Sequence, residues 1–131
     1  MKVLVPIDGS ECSFRALEFA TEFVENYDGT LHVVHFTDQT GESTEIIRKR
    51  AQEILDAAGI VDEPEIRTDI RMSDPRYANR VGKDILEIAD EEDYDHVIMG
   101  HHGQGAVGRL ILGSAAETVV RAAETPATII P

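Results

Sequence analysis

The feature that most constrains this fold is a regular alternation between short apolar runs and segments of helical periodicity. Apolar residues recur at helical spacing in each of the four intervals that separate five short runs. Strands that alternate with helices predict a parallel sheet with right-handed crossovers and helices on both faces. The five predicted strands are residues 2–7, 30–36, 65–71, 96–99 and 127–130.

The patterns inside these runs predict the order of the strands. Residues 2–7 and 30–36 are almost continuously apolar, which favours central strands covered on both faces. Residues 65–71 alternate between apolar and polar, which favours an edge strand. We therefore predict a doubly wound α/β fold, a five-stranded parallel sheet of order 3-2-1-4-5. Ligands of such sheets bind beyond the carboxyl ends of the strands where the order reverses, which points to loops 8–13 and 100–113.

Length and composition indicate one globular domain spanning residues 1–131. The chain is 42% hydrophobic and 28% charged, which is enough to bury a core without metal or disulfide. A single cysteine, Cys12, excludes an intrachain disulfide and favours a reducing compartment. No apolar run approaches the ~20 residues of a membrane-spanning helix, and the first run is too short for a signal peptide. We therefore expect a cytoplasmic protein with no membrane partner.

The charge balance is strongly acidic. Twelve basic and 25 acidic residues give a net charge of −13. Such a surface repels phosphate backbones, so we expect no nucleic-acid partner. Only three of the basic residues are lysine, and acidity with little lysine is typical of proteins from salt-loving cells. An ordinary acidic protein fits the same composition.

Loop 100–113 is the strongest candidate for a ligand site. It contains five of the ten glycines, follows a predicted strand and leads into a helix that begins near Ser114. Glycines allow close approach to backbone N–H groups, and a helix N-terminus adds a positive dipole end, so the loop favours a phosphate cradle. The alternative is a surface loop without a ligand. The literal G-x-G-x-x-G at residues 103–108 is not a dinucleotide fingerprint, because the helix begins only after Gly113.

The glycine spacing resembles that of a known family. Gly100 and Gly103, then nine residues, then Gly113-Ser114 fit G-x2-G-x9-G-[ST], the ATP-binding signature of the universal stress protein family. The resemblance covers essentially the whole chain. It includes the VLVPIDGS opening, the Val33-Val34-His35 strand end, VIMGHHG, RLILGSAAETVVR and PATIIP. It implies a doubly wound fold, often a homodimer, and ATP binding. We expect Mg²⁺ or Mn²⁺ to accompany the ATP, because a divalent cation neutralises phosphate charge that an acidic protein repels.

The resemblance also implies which residues contact the nucleotide. Pro6, Ile7 and Asp8 would meet the adenosine, with Asp8 near the ribose, and Val34 would touch the adenine. The remaining contacts would be Met99 and Gly100 on the ribose side and Gly103, Gly113, Ser114 and Ala115 at the phosphates.

Five of these assignments have a structural alternative. Asp8 could cap the following helix, and Pro6 could simply stiffen the strand end. Val34 and Met99 could be core residues. Ser114 with Glu117 matches a capping box, in which the serine side chain binds a first-turn N–H.

Four further residues near the predicted site have open roles. Arg109 could pair with phosphate or remain solvated. His101 and His102 are adjacent and cannot both be assumed to bind one metal, so we expect one to face the phosphates and the other solvent. Cys12 could be an activated thiolate or a small buried residue.

The resemblance implies a nucleotide-dependent switch or sensor in the stress response. No catalytic set is assembled, so ATP turnover would be slow at most. Two alternatives remain: a dimeric interaction module that binds no nucleotide, and an ATP hydrolase that uses Asp8 with His101 or His102. The apolar run 127–130 is a predicted edge strand, and we expect two copies to pair through it.

Overall fold

Strands and helices alternate along the chain as the apolar pattern predicts. The computed structural model describes residues 1–37, 39–68, 77–101 and 112–131, with side chains in the third helix described from Arg80 onward. Within these ranges the elements are β1 (Lys2–Ile7), α1 (Glu11–Asn26), β2 (Thr30–Phe36), α2 (Glu42–Ala57), β3 (Glu65–Arg67), α3 (Tyr77–Glu91), β4 (His96–Gly100), α4 (Ser114–Ala122) and β5 (Ala127–Ile130).

The sheet confirms the predicted doubly wound order. All neighbouring strands are parallel, and the order is β3-β2-β1-β4-β5. β3 lies at an edge and is half-buried, as its alternating sequence predicts. β3 ends at Arg67, because Thr68 is not in strand conformation, and the remaining predicted residues, 69–71, lie outside the described ranges. β4 extends one residue beyond its prediction, to Gly100.

Each face of the sheet carries its own apolar core. Side chains alternate along β1, so Val3, Val5 and Ile7 pack with residues of α1 and α2, whereas Leu4 packs with residues of α3 and α4. Full burial of each such side chain contributes about 1.5–3 kcal/mol. Both central strands are therefore covered on two faces, as their continuous apolar sequences require. None of the helices in the described residues combines the length and apolarity needed to cross a bilayer.

A network of ionisable side chains holds edge strand β3 in place. His32 of β2 lies 2.8 Å from Glu65 and 3.3 Å from Asp62, and Arg67 binds both Glu65 (2.9 Å) and Glu92 (3.1 Å). Partial burial acts to raise the pKa of Glu65, but hydrogen bonds from His32 and Arg67 outweigh it and leave that pKa below its usual value. These contacts hold β3 against β2 at this edge of the sheet.

β1 is paired unequally with its two neighbours, β2 and β4. β1 pairs with β2 along its whole length, from Lys2↔Thr30 to Ile7↔His35, whereas its pairing with β4 comprises Val3↔His96 and Leu4↔Val97. The Lys2 carbonyl accepts the N–H of Asp95 at 2.8 Å, so alternation turns the backbone groups of Leu4 and Pro6 towards β4 as well. Proline has no N–H to donate, so the ladder cannot continue through Pro6. We call these carboxyl ends, Val5–Ile7 beside Ile98–Gly100, which are not paired with each other, the β1–β4 seam.

Candidate functional site

The start of α4 is fastened to the end of β4. The N–H of His101, the residue after β4, donates to the Ile130 carbonyl at 2.8 Å, and the His101 carbonyl accepts the N–H of Gly113 at 2.6 Å. Gly113 immediately precedes α4. The N-terminus of α4 therefore lies at the carboxyl edge of the sheet, next to the β1–β4 seam, where the doubly wound topology predicts a ligand.

The first turn of α1 packs directly on the end of β4. A Cβ built on Gly100 would lie 2.6 Å from the Cys12 sulfur and 3.1 Å from both the Cys12 carbonyl carbon and the Ser13 nitrogen. Glycine at this position therefore lets helix and strand approach closely. Cys12 is fully buried, as its interpretation as a small buried residue predicts.

Asp8 lies in the turn between β1 and α1, with one carboxylate oxygen engaged. Its Oδ1 accepts the N–H of Ser10 at 2.8 Å, across Gly9, whose φ of +89° favours glycine. The N-cap of α1 is Ser10, whose Oγ accepts the N–H of Ser13 at 3.3 Å. Asp8 therefore binds the N-cap residue but is not itself the N-cap. Asp8 is half-buried, and within the described ranges no donor contacts its Oδ2. That oxygen can accept a hydrogen bond from a ligand hydroxyl.

The N-terminus of α4 differs from the capping-box alternative. The N-cap is Gly113, with φ −61° and ψ 154°, and it contributes no side-chain hydrogen bond. Ser114 is the first helical residue, and the Glu117 carboxylate accepts from Arg121 at 2.7 Å. The capping box is wrong because a cap needs the extended backbone that Gly113 has and Ser114 lacks. A glycine cap leaves room for an external acceptor at the positive end of the helix.

The residues predicted to meet the adenosine occupy two faces of the sheet. Val34 and Met99 belong to the core beneath α3 and α4, and alternation places Pro6 on the same face. Ile7 belongs to the opposite core. Val34 is fully buried and Met99 nearly so, which fits the core alternative for both side chains. Their roles towards a nucleotide remain predictions.

Part of the predicted site falls outside the described residues. Gly103, His102 and Arg109 lie there, whereas His101 and Ala115 are half-buried at the two ends of the loop. In the described residues, no group of three or more His, Cys, Asp or Glu side chains is arranged to hold a metal ion.

One buried residue at this edge was not predicted. His35 of β2 is 7% exposed, and its Nδ1 donates to the Ile7 carbonyl at 2.8 Å. A carbonyl can only accept, so Nδ1 carries the proton. A polar residue near the end of a mostly apolar strand was the available signal, but its partner follows only from the register Ile7↔His35.

The family model described as Universal stress protein family matches residues 1–131. The chain is 30% identical over 135 residues to a universal stress protein of Thermus aquaticus, covering 98% of this chain and 96% of the relative. It is 25% identical over 141 residues to one of Methanocaldococcus jannaschii, covering 98% and 81%. The structure of the Archaeoglobus fulgidus universal stress protein in complex with dAMP matches with a TM-score of 0.71, at 24% identity and covering 100% and 98% of the two chains.

Proposed function

The chain belongs to the universal stress protein family, and from that premise we propose that it binds ATP with Mg²⁺ or Mn²⁺ beside the β1–β4 seam. In this proposal the nucleotide acts as the signal of a switch or sensor in the stress response. The adenosine contacts are those of Pro6, Ile7, Asp8 and Val34. The ribose and phosphate contacts are those of Met99, Gly100, Gly103, Gly113, Ser114 and Ala115.

One observation carries the proposal: the seam has a hydrogen-bond acceptor beside one strand and a helix N-terminus beside the other. Asp8 follows β1 and has a carboxylate oxygen that no donor among the described residues contacts. Gly113 holds the N-terminus of α4 against the residue that follows β4. A nucleotide has complementary chemistry, because its ribose hydroxyls donate and its phosphates accept.

The solved dAMP complex of the A. fulgidus protein supports a nucleotide in this fold. At 24% identity, that likeness is one of fold, so the choice of ATP rests on the glycine spacing of this chain. Equilibrium titration with ATP and Mg²⁺ tests it: saturable binding supports the proposal, and no binding contradicts it.

A divalent cation fits the charge of this protein. The chain carries a net charge of −13, which repels a triphosphate unless counter-charge accompanies it. When bound, the cation supplies charge neutralisation. We propose slow ATP turnover at most, because the described residues at this edge include no lysine.

We further propose a homodimer formed through β5. The Val97 N–H donates to the Pro126 carbonyl and the His101 N–H to the Ile130 carbonyl, so alternation turns the backbone groups of Ala127 and Ile129 away from β4. Such an edge can pair with the same edge of a second copy.

Ala127→Pro is therefore expected to convert the dimer to a monomer without unfolding the chain. It removes an outward N–H and leaves the hydrogen bonds to β4 in place. Light scattering at micromolar concentration measures the mass against the 14.4 kDa of one chain. Thr128→Pro is the control, since it removes an N–H that faces β4 and should lower stability instead. A wild-type monomer, or a folded Ala127→Pro dimer, would contradict this interface.

A further inference from the structure

The peptide unit that joins Ile7 to Asp8 is held from both sides by buried side chains. Its carbonyl accepts from His35 Nδ1 at 2.8 Å, and its N–H donates to Ser13 Oγ in a longer contact of 3.4 Å. His35 and Ser13 are 7% and 3% exposed, so water does not compete freely for either contact. One support comes from β2 and the other from the first turn of α1.

This peptide unit needs such support because its own strand provides little. β1 has no partner on the β4 side at Pro6, and the residue after Asp8 is Gly9, in the left-handed region. Asp8 therefore stands between a strand end paired on one side and a permissive glycine. The plane of the Ile7–Asp8 peptide then sets the direction in which the Asp8 side chain leaves the backbone.

Ser13 links this plane to the helix cap. Its Oγ also donates to the Ser10 carbonyl at 2.8 Å, and the Ser10 N–H donates to Asp8 Oδ1 at 2.8 Å. The backbone N–H and the carboxylate of Asp8 are thus both hydrogen-bonded to the N-terminal turn of α1. A carboxylate that is fixed in advance loses less entropy when it binds a hydroxyl.

We propose that His35 and Ser13 are positioning residues that orient Asp8 towards the ribose hydroxyls of the nucleotide. The inference rests on the proposed function. It assigns the two side chains a role in ribose selection, which is distinct from their packing in the core. Neither residue contacts the nucleotide in this scheme.

The test compares two substitutions of His35 that differ in one donor. His35→Leu removes the donor and retains bulk, whereas His35→Asn retains an N–H at the same distance from Cβ as Nδ1. Calorimetry measures the affinity for ATP and for 2′,3′-dideoxy-ATP, both with Mg²⁺. We expect His35→Leu to weaken ATP by about tenfold and dideoxy-ATP by less than about twofold, and His35→Asn to recover most of the loss.

Two further variants separate positioning from stability. Ser13→Ala removes the contact on the other side of the peptide and should also weaken ATP selectively. It is the smaller change if His35→Leu does not fold. In an Asp8→Ala background, His35→Leu should have no further effect on ATP affinity, because the residue it positions is gone.

The outcomes distinguish this inference from the function on which it rests. If the wild type binds neither nucleotide, both are wrong. If the wild type binds ATP and dideoxy-ATP equally, or if the variants weaken both nucleotides alike, ATP binding stands and the positioning role is overturned. A selective loss for ATP that persists in the Asp8→Ala background would also overturn it.

Discussion

Gly113→Val is expected to lower the affinity for ATP by roughly tenfold or more while changing the affinity for adenosine little. A branched side chain at the N-cap of α4 would obstruct the approach of phosphate to the first-turn N–H groups. Adenosine lacks phosphate and would be insensitive to that obstruction. The backbone has φ −61° and ψ 154°, which valine adopts without strain, so stability should change little. Calorimetry with both ligands measures the two affinities.

Gly41→Val provides the matched control for this substitution. Gly41 is the N-cap of α2, and a Cβ there would meet nothing within 4 Å. Like Gly113, it precedes a helix and makes no side-chain cap, but it follows β2 and not β4. We expect Gly41→Val to bind ATP as the wild type does. Equal losses for ATP and adenosine at Gly113 would remove the phosphate cradle from this account.

Gly100→Ala is expected to lower the free energy of unfolding by roughly 1–3 kcal/mol. The new methyl group would lie 2.6 Å from the Cys12 sulfur and 3.1 Å from two backbone atoms of α1, which can move only if the helix shifts. Urea unfolding measures the change. Gly41→Ala is the control, because the space around Gly41 is open.

A second substitution tests whether this loss comes from the contact with Cys12. Adding Cys12→Ala to Gly100→Ala removes the nearest atom, so the double variant, measured against Cys12→Ala alone, should recover part of the lost stability. The two backbone contacts at 3.1 Å remain, so recovery should be incomplete. A Gly100→Ala protein as stable as the wild type would contradict the packing seen here. A double variant whose loss of stability equals the sum of the losses of the two single variants would show that the sulfur is not the obstacle.

The strand order could be predicted because burial leaves a direct mark on sequence. Val3, Leu4 and Val5 are apolar in succession, and the structure buries all three between two helical layers. Glu65, Ile66 and Arg67 alternate, and the structure places them at the edge. Strand ends leave a weaker mark, which is why the predicted third strand includes Thr68 whereas β3 ends at Arg67.

The candidate site could be predicted less completely, because its contacts join residues distant in sequence. The glycine spacing predicts a ligand loop from sequence alone, but the obstruction at Gly100 comes from Cys12, 88 positions earlier in the chain. Ser114 and Glu117 match a capping box in sequence, yet the backbone places the cap one residue earlier. His35 looks like a core residue until the register sets it beside Ile7.

The most direct test of the central claim is a calorimetric titration of the wild-type protein with ATP and Mg²⁺, at low and at molar salt. Two salt conditions are needed because a chain of charge −13 repels a triphosphate most strongly at low salt. We predict saturable binding of one ATP per chain, accompanied by a higher melting temperature because the ligand binds only the folded state. No heat of binding and no shift in melting temperature at either salt concentration would contradict a nucleotide site at the β1–β4 seam.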